Sequence, residues 1–574
     1  MKRTHTCGQL NIANVNQTVT LQGWIAKVRK MGALTFVDLR DRYGITQLVI
    51  GEELNQFNDI LKNEFVIEVT GKVIERKSKN KDLTTGEIEI EVLNIILINK
   101  TELTPFEIKD NIEAQEDTRL TYRYLDLRRP EMQKKLIVRS QMNHSIRNFF
   151  IENNFLEIET PFFGKSTPEG ARDFLVPSRL NQGKFYALPQ SPQLYKQLFM
   201  ISGLDRYFQI VKCFRDEDLR IDRQPEFTQL DMEMSFANGE DAMNMIEAMF
   251  KRLVLDVKGI DIKEPIQRMS WNESFDKYGN DKPDLRFGYE INTVDQLFEN
   301  TQIPLFSNLE NKTIRAICVE GLLNKKELEA LTETSKQNSV NILAFAKYDL
   351  NEWSGSIGSK LSDNEKQNLI SHFNIQKPVT ILFTVEEYER ASKALGAVRN
   401  HVAKLQDLLD ENDLKFVWIV DFPLFEFSEE ENRFVAAHHP FTSPIDEHLN
   451  SFDKDMKNAF AKAYDIVLNG FEVGGGSQRI TNASIQQRMF DAIGLTKEQI
   501  EQNFGWFVNA YKYGAPYHSG CALGLDRICM LLTGSENIRE VIAFPKNSSG
   551  IDPMTNAPDT VSQSQLEELA IKLN

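Results

Sequence analysis

No run in this sequence reaches the roughly 20 consecutive apolar residues that a bilayer-crossing helix needs. The opening Met1-Lys2-Arg3-Thr4-His5-Thr6 leads into a polar stretch, where a secretory signal would carry an apolar core. Cysteine is scarce as well. The five present (Cys7, Cys213, Cys318, Cys521 and Cys529) are odd in number and include no CxxC pair. Neither a disulfide framework nor a zinc knuckle is expected, and a reducing compartment suits them. Internal repeats and low-complexity tracts are missing. A cytoplasmic chain without membrane association is the expectation. Positive charge is also in deficit, with 67 Lys and Arg against 83 Asp and Glu and a net charge of −16. That balance does not exclude a nucleic-acid partner, because binding depends on where charges sit and not on their sum. Two basic stretches stand out, Lys72 to Lys81 and Arg119 to Arg139. Composition alone reads both as solvated faces.

With 574 residues the chain is long enough for several domains. The first hundred residues predict a small β-barrel. Strands are expected over Val19–Arg29, Leu34–Leu39, Ile45–Ile50 and Phe65–Val73, with turns at Lys30-Met31-Gly32 and Asp41-Arg42-Tyr43-Gly44 and a helix-like connection from Gly51 to Asn63. In the last strand Ile88, Ile90 and Val92 alternate with Glu87, Glu89 and Glu91, the period of a half-buried antiparallel strand. Five short strands with one longer connection suit an OB-fold, which often binds oligonucleotides on one face. Phe36 shares a face with Asp38 in the second strand. It is either a stacking platform for a base or a rim aromatic capping the barrel. Gln47, on the next strand, carries an amide that both donates and accepts.

Thr101 to Asp117 predicts an acidic linker containing Pro105. Pro130 begins a helix over Glu131–Asn153, and short strands follow as far as Glu240. Residues 289–414 change texture to Lys- and Glu-rich helical segments with strands such as Val379–Thr384, and predict an inserted domain. The expected division is 1–104 barrel, 105–130 linker, 131–288 and 415–574 two parts of one α+β body built on an antiparallel sheet, and 289–414 an inserted α+β domain.

Three segments carry chemistry. From Phe214 to Glu233, two strands (Tyr207–Arg215 and Glu226–Phe236) flank a loop dense in both signs of charge, including Arg215, Asp216, Glu217, Arg220, Arg223 and Gln224. Burying so many charges costs several kcal/mol each unless they are paired or meet a charged ligand. Asp465 and Glu472 lie on a strand-turn-strand that runs into Gly474-Gly475-Gly476. Two such acids could hold Mg²⁺, which takes a few carboxylates plus phosphate oxygens. The glycines allow close backbone approach, although no P-loop pattern follows. Gly520 to Leu532 reads as a strand leading into an apolar helix, with Gly524, Leu525, Asp526 and Arg527 at the junction. Arginine suits phosphate because its planar fork donates twice.

In this order the segments resemble the three motifs of class II aminoacyl-tRNA synthetases. Motif 1 resembles Phe155-Leu156-Glu157-Ile158-Glu159-Thr160-Pro161, motif 2 the surroundings of Arg215, and motif 3 Gly520 to Arg527. The barrel, the stretches Ser166 to Asp173 and Gln190 to Gln197, the insertion and His438-His439-Pro440 extend the resemblance over the full length to bacterial-type aspartyl-tRNA synthetases. The resemblance implies an ATP-dependent, AMP-forming ligase that activates L-aspartate to aspartyl-adenylate and charges tRNA(Asp). It also implies a cytoplasmic homodimer that uses Mg²⁺ and no organic cofactor. Arg215, Glu217 and Arg527 would be catalytic. ATP would meet Arg215, Asp216, Glu217, Gln224, Phe227 (stacked on adenine), Glu472, Gly524, Leu525, Asp526 and Arg527, with Mg²⁺ on Asp465 and Glu472. Aspartate would meet Arg479 and Lys196 through its side chain, oriented by Asp231. Glu169, Ser191, Gln193, Arg215 and Gln229 would face its backbone groups, under a mobile His438. The anticodon would meet Arg29, Phe36, Gln47 and Glu89. Whether tRNA(Asn) is charged too stays open, with Met31 near the deciding residues.

Four rivals remain. A lysyl enzyme would need an acid where Arg479 stands, and an asparaginyl one would have no need of Lys196. A non-charging RNA-binding protein would not need Arg215, Glu472 and Arg527. An adenylate-forming asparagine synthetase would not need the barrel.

Overall fold

The computed structural model describes residues 3–167, 170–429 and 431–573. It forms two compact units, residues 1–138 with 539–560, and residues 139–538 with 561–574. Glu169, expected at the aspartate site, lies outside the described residues.

The first unit holds five strands, β1 (Thr18–Met31), β2 (Leu34–Asp41), β3 (Gly44–Ile50), β4 (Val66–Glu75) and β5 (Ile88–Asn99). They close into a barrel in the order β1-β2-β3-β5-β4. Inward residues such as Leu21, Ile25, Val37, Leu39, Leu48, Val69 and Ile90 are fully buried. The β1–β2 turn differs from the expected one. β1 runs on through Met31, and Gly32-Ala33 makes the turn, with φ +61° at Gly32, where the missing Cβ removes the steric cost. The alternation of β5 also breaks. Thr70 and Gly71 pair with Asn94 and Val92, leaving Leu93 as a bulge, which shifts the buried phase from Ile88, Ile90 and Val92 to Ile95. Glu89, expected on the polar face, is buried.

The basic stretch 119–139 is not a solvated face. Asp126, fully buried, accepts from Arg123 at 2.6 Å and Arg129 at 2.8 Å, and Arg123 also donates to the carbonyls of Arg539, Ile542 and Ala543. Lys135 joins Glu131 and Glu540. Removing one partner of such a cluster leaves uncompensated buried charge, so Asp126→Ala is expected to cost about 3–5 kcal/mol. Urea denaturation checks this, and a midpoint within error of the parent would contradict it.

The helix Pro130–Glu152 spans the division at residue 138, and the second unit goes on with β6 (Leu156–Glu157), the hairpin β7 (Leu175–Pro177) and β8 (Phe185–Ala187), then β9 (Arg206–Phe214), β10 (Glu226–Ser235) and β11 (Gln267–Ser270). One helix, Gln193–Ile201, interrupts the expected run of strands, and a second, Gly239–Lys258, starts where that run ends. Gln193–Ile201 is only nine residues long and starts after Pro192, too short for periodicity to reveal. Gly239–Lys258 is closed by a capping box at Asn238 and by Gly259 in the left-handed region. Between Tyr289 and Leu405, strands β12 (Asn292–Thr293), β13 (Thr313–Glu320), β14 (Ala344–Tyr348), β15 (Trp353–Ser354) and β16 (Val379–Glu386) form their own sheet. The helices Lys325–Gln337 and Tyr388–Leu405 pack on it through Leu331, Leu395, Val398 and Val402. Buried Arg399 donates to the carbonyls of Asp284, Phe287, Gly288 and Tyr289, which fixes the irregular segment leading into this sheet.

The chain then adds β17 (Phe416–Val420), β18 (Phe425–Ser428), β19 (Arg433–Ala436), β20 (Ala463–Leu468), β21 (Phe471–Gln478) and β22 (His518–Gly524). The main sheet runs β11-β17-β20-β21-β22-β10-β9-β6. Its centre is antiparallel, as expected, but the outer pairs β11–β17 and β6–β9 are parallel, so the sheet is mixed. Among the described residues no helix is long and apolar enough to cross a membrane.

Candidate active site

Four central strands and two helix starts line a cavity of about 370 Å³. Of the residues expected there, Gln193, Lys196, Arg215, Glu217, Gln224, Phe227, Gln229, His438, Asp465, Glu472, Arg479, Gly524, Asp526 and Arg527 all reach it. Gln193 and Lys196 do so because a spacing of three puts them on one face of a helix. Ser191 lines a smaller cavity of about 30 Å³. Asp216 sits on the loop beside Arg172. Leu525 turns into the core at 1% exposure.

At one end the charges are buried and paired. Lys196 Nζ donates to Asp231 at 2.6 Å, with Glu233 at 3.4 Å. Arg479 donates to Glu233 from Nε at 2.9 Å and from Nη2 at 3.1 Å, and from Nη1 to Ser477 and to His439 Nε2. Burial pushes the Asp231 carboxyl up to about 6, although Lys196 pulls the other way. Burial also opposes ionisation of Glu233, yet Arg479 and Lys196 hold its carboxyl below the usual glutamate range. Burial and then the Arg479 cation push His439 well below the usual histidine range. It is a neutral acceptor for Arg479. His438 packs edge-on against Phe422, with ring centroids 5.0 Å apart.

Glu233 and His439 were not among the expected site residues. Glu233 was within reach of the sequence, because Gln229, Asp231 and Glu233 share one face of β10 by period-2 alternation. His439 carried no comparable signal beyond its place beside His438.

At the other end sit the loose cations. Arg215 lies over the Phe227 ring at 5.2 Å. Arg527 pairs with Asp222 at 3.1 Å, and Glu217 accepts from Arg223 at 3.2 Å. Asp222 and Arg223, also unforeseen, come from the charged loop. The Asp526 carboxylate does not face the cavity freely. It accepts from the Thr228 amide at 2.6 Å and from Arg139, tying the start of helix Leu525–Leu532 to β10 and so fixing Arg527 next to it. Buried polar atoms without a protein partner gather in and beside the cavity: Gln193 Nε2, Arg215 Nε, Asp231 Oδ2 and Arg527 Nε. Native proteins pair such atoms, so this cluster marks a place shaped for a polar ligand.

On the cavity floor Asp465 opposes Gly475 across β20 and β21. A Cβ on Gly475 would stand 2.1 Å from Asp465 Oδ1. Gly474 and Gly476 are needed for other reasons: their Cβ atoms would strike Leu523 and the Gly520 carbonyl. The triple glycine therefore serves strand packing as much as ligand approach. Burial, then Glu472 and Asp281, push the Asp465 carboxyl well above the usual range. Lys282 lies 3.9 Å from Glu472.

The barrel carries its own constellation. Arg29 opposes Phe36 across β1–β2, and Asp38 opposes Gln47 across β2–β3. Arg29 donates to both Asp38 oxygens at 2.7 Å and to Gln47 at 3.1 Å, and Gln47 donates to Glu89 at 2.7 Å. All four residues expected at the anticodon meet on one face. Met31 stands at the end of β1, 66% exposed.

A family described as class II tRNA synthetases (D, K and N) matches residues 115–548, and an OB-fold nucleic-acid-binding domain matches residues 19–98. The chain is 62% identical over 574 residues to an aspartate–tRNA ligase of Mesoplasma florum, covering all of both chains. It belongs to the aspartate–tRNA ligases of class II. Similar relatives carrying that name come from Mycoplasma mycoides subsp. mycoides, 60% identical over 573 residues with full coverage of both, and from Streptococcus suis, 48% identical over 581 residues with 100% of this chain and 99% of the relative covered. Two solved structures share the fold. The asparaginyl-tRNA synthetase of Pyrococcus horikoshii complexed with asparaginyl-adenylate has a TM-score of 0.59 at 18% identity and covers 95% of this chain and 98% of that one. The aspartyl tRNA synthetase of Entamoeba histolytica has a TM-score of 0.58 at 19% identity, with 95% and 92% covered. For a class II synthetase of this family, the cavity between β10, β21 and β22 is the place to seek the chemistry.

Proposed function

We propose that this chain activates L-aspartate with ATP and transfers it to the 3′ end of tRNA(Asp) in the cytoplasm, working as a homodimer. An oxygen of the aspartate α-carboxylate bonds to the α-phosphorus, and the bond to the β-phosphate oxygen breaks, releasing pyrophosphate. A terminal ribose hydroxyl of the tRNA then bonds to the aspartyl carbonyl carbon and AMP leaves. Such steps need positioning and charge neutralisation more than a protein nucleophile.

The observation that carries the reading is the buried cation pair Lys196 and Arg479, backed by Asp231 and Glu233. In this reading the pair takes the substrate's side-chain carboxylate. An amide there would leave buried charge unsatisfied. Gln193 and Gln229 face the ammonium. Arg215 meets the α-phosphate and the α-carboxylate. Glu217, Gln224 and the Phe227 ring hold the base and its ribose, supported by the backbone at Gly524 and Leu525, and Arg527 meets the γ-phosphate. His438 closes over the pocket, and Asp526 acts by placing Arg527.

Asp465 and Glu472 fit a magnesium ion. They are hard oxygen donors on one floor, where burial and then the Glu472 and Asp281 carboxylates hold the Asp465 carboxyl well above its usual range. Bound there, the ion would neutralise phosphate charge. For the dimer, support comes from exposed Leu156, Phe162, Phe163 and Phe185 flanking Pro161, an apolar patch of the kind that marks interfaces.

ATP–pyrophosphate exchange across the amino acids tests the first step. Aspartate is expected to support it and asparagine to fall about 10³-fold or more below. Equal exchange with both would overturn the pocket reading. Phe36 tests the second. Base–aromatic stacking is worth about 1–3 kcal/mol, so Phe36→Ala is expected to lower kcat/KM for tRNA(Asp) about 10- to 100-fold with exchange unchanged. Equal loss of both would contradict a role in RNA binding.

A further inference from the structure

We propose that Asp38 is a positioning residue for anticodon reading, fixing the Arg29 guanidinium beside Phe36 before RNA arrives. The inference rests on reading this barrel face as the anticodon site, and it divides that site into groups that touch RNA and groups that act from below.

The geometry gives the division. Arg29 is clamped end-on by Asp38, both guanidinium Nη atoms lying 2.7 Å from its two oxygens. Its Nη2 also donates to Gln47 Oε1 at 3.1 Å. These three bonds leave two of the five guanidinium N–H groups for another partner. The Arg29 side chain remains 34% exposed and that of Asp38 only 16%, whereas Gln47 is 5% exposed. Gln47 therefore supports Arg29 as folded. Its amide polarity is itself set. The oxygen faces Arg29, and the nitrogen donates to buried Glu89 at 2.7 Å. Turning the amide over would set NH₂ against a cation and oxygen against a carboxylate. The relay from Glu89 through Gln47 to Arg29, closed by Asp38, is a network of charge-assisted bonds, the kind that holds one geometry.

The consequence is chemical. Arg29 opposes Phe36 across the β1–β2 ladder, so a base stacked on Phe36 meets donors already aimed. Asp38 also neutralises Arg29. An unclamped arginine would follow the nearest phosphate, and phosphate contacts carry no sequence information. Asp38 thereby turns a generic cation into a reader of base edges.

The test uses the full chain with Asp38→Asn and Asp38→Glu, beside Phe36→Ala. Asparagine keeps the shape but presents NH₂ to one Nη. In Asp38→Asn the KM for tRNA(Asp) is expected to rise on the order of tenfold, with kcat and aspartate-dependent exchange unchanged. The penalty for an anticodon-substituted tRNA(Asp) is expected to shrink, and Asp38→Glu to recover part of the KM. A wild-type KM in Asp38→Asn, with Phe36→Ala impaired, would overturn the inference and leave the anticodon reading standing. Wild-type charging by Phe36→Ala would remove that reading and the inference with it. Loss of charging together with a lowered melting temperature, equal in Asp38→Asn and Asp38→Glu, would make Asp38 merely structural and also overturn the proposal.

Discussion

Replacing Arg479 by leucine is expected to abolish aspartate-dependent ATP–pyrophosphate exchange, lowering kcat/KM for aspartate by at least about 10³-fold. Two losses combine. The substrate carboxylate loses a forked cation, and Glu233, fully buried, loses the partner that bonds it from Nε and Nη2. An uncompensated buried charge costs about 3–5 kcal/mol, enough on its own for two to three decades. Lys196 cannot make up the difference, because it is already bonded to Asp231 at 2.6 Å. ATP binding, followed by calorimetry, is expected to stay within about threefold, since Arg215, Phe227 and Arg527 lie at the other end of the cavity. Near-normal exchange would remove Arg479 from the aspartate pocket. Loss of ATP binding as well would show that the substitution unfolds the site.

The second large effect is expected from a residue that touches no substrate. Gly520 faces Glu233 across β10 and β22. A Cβ there would lie 1.7 Å from Glu233 Oε2 and 2.3 Å from the Met232 carbonyl. The backbone of a central strand cannot yield, so the Glu233 carboxylate must leave Arg479. Gly520→Ala is expected to raise KM for aspartate about 100-fold or more and to cost about 1–3 kcal/mol of stability through overpacking. ATP affinity is expected to change little. A parental KM for aspartate in a folded Gly520→Ala protein would show that Glu233 does not hold Arg479 in its working position.

The barrel was legible because period-2 alternation and turn residues are local signals, and the residues expected at its RNA face did meet. What failed there was also physical. A bulge at Leu93 shifts phase without a sequence mark, and the burial of Glu89 under Gln47 is a cross-strand fact. The charged loop announced a site, since so much charge needs a partner, but not how its members divide. Arg527 with Asp222 is a pairing between distant segments, and Glu217 with Arg223 one across the loop. Asp526 reads as a ligand contact in the motif and lines the cavity, and its bonds to Arg139 and Thr228 also make it a brace. Glu233 could have been found by extending the alternation of Gln229 and Asp231 one step. The stretch 119–139 misled because charge composition says nothing of burial, and Asp126 is what draws Arg123 and Arg129 inside.

In the proposed function one cavity joins aspartate to ATP and hands the product to RNA. The most direct measurement is attachment of radiolabelled aspartate to purified tRNA(Asp) by the full chain with ATP and Mg²⁺, run beside tRNA(Asn). The account predicts near-stoichiometric, ATP-dependent aspartyl-tRNA(Asp), with labelled asparagine giving none, and the tRNA(Asn) lane reports the breadth of RNA choice. No aspartyl-tRNA(Asp) from a preparation active in aspartate-dependent exchange would contradict it.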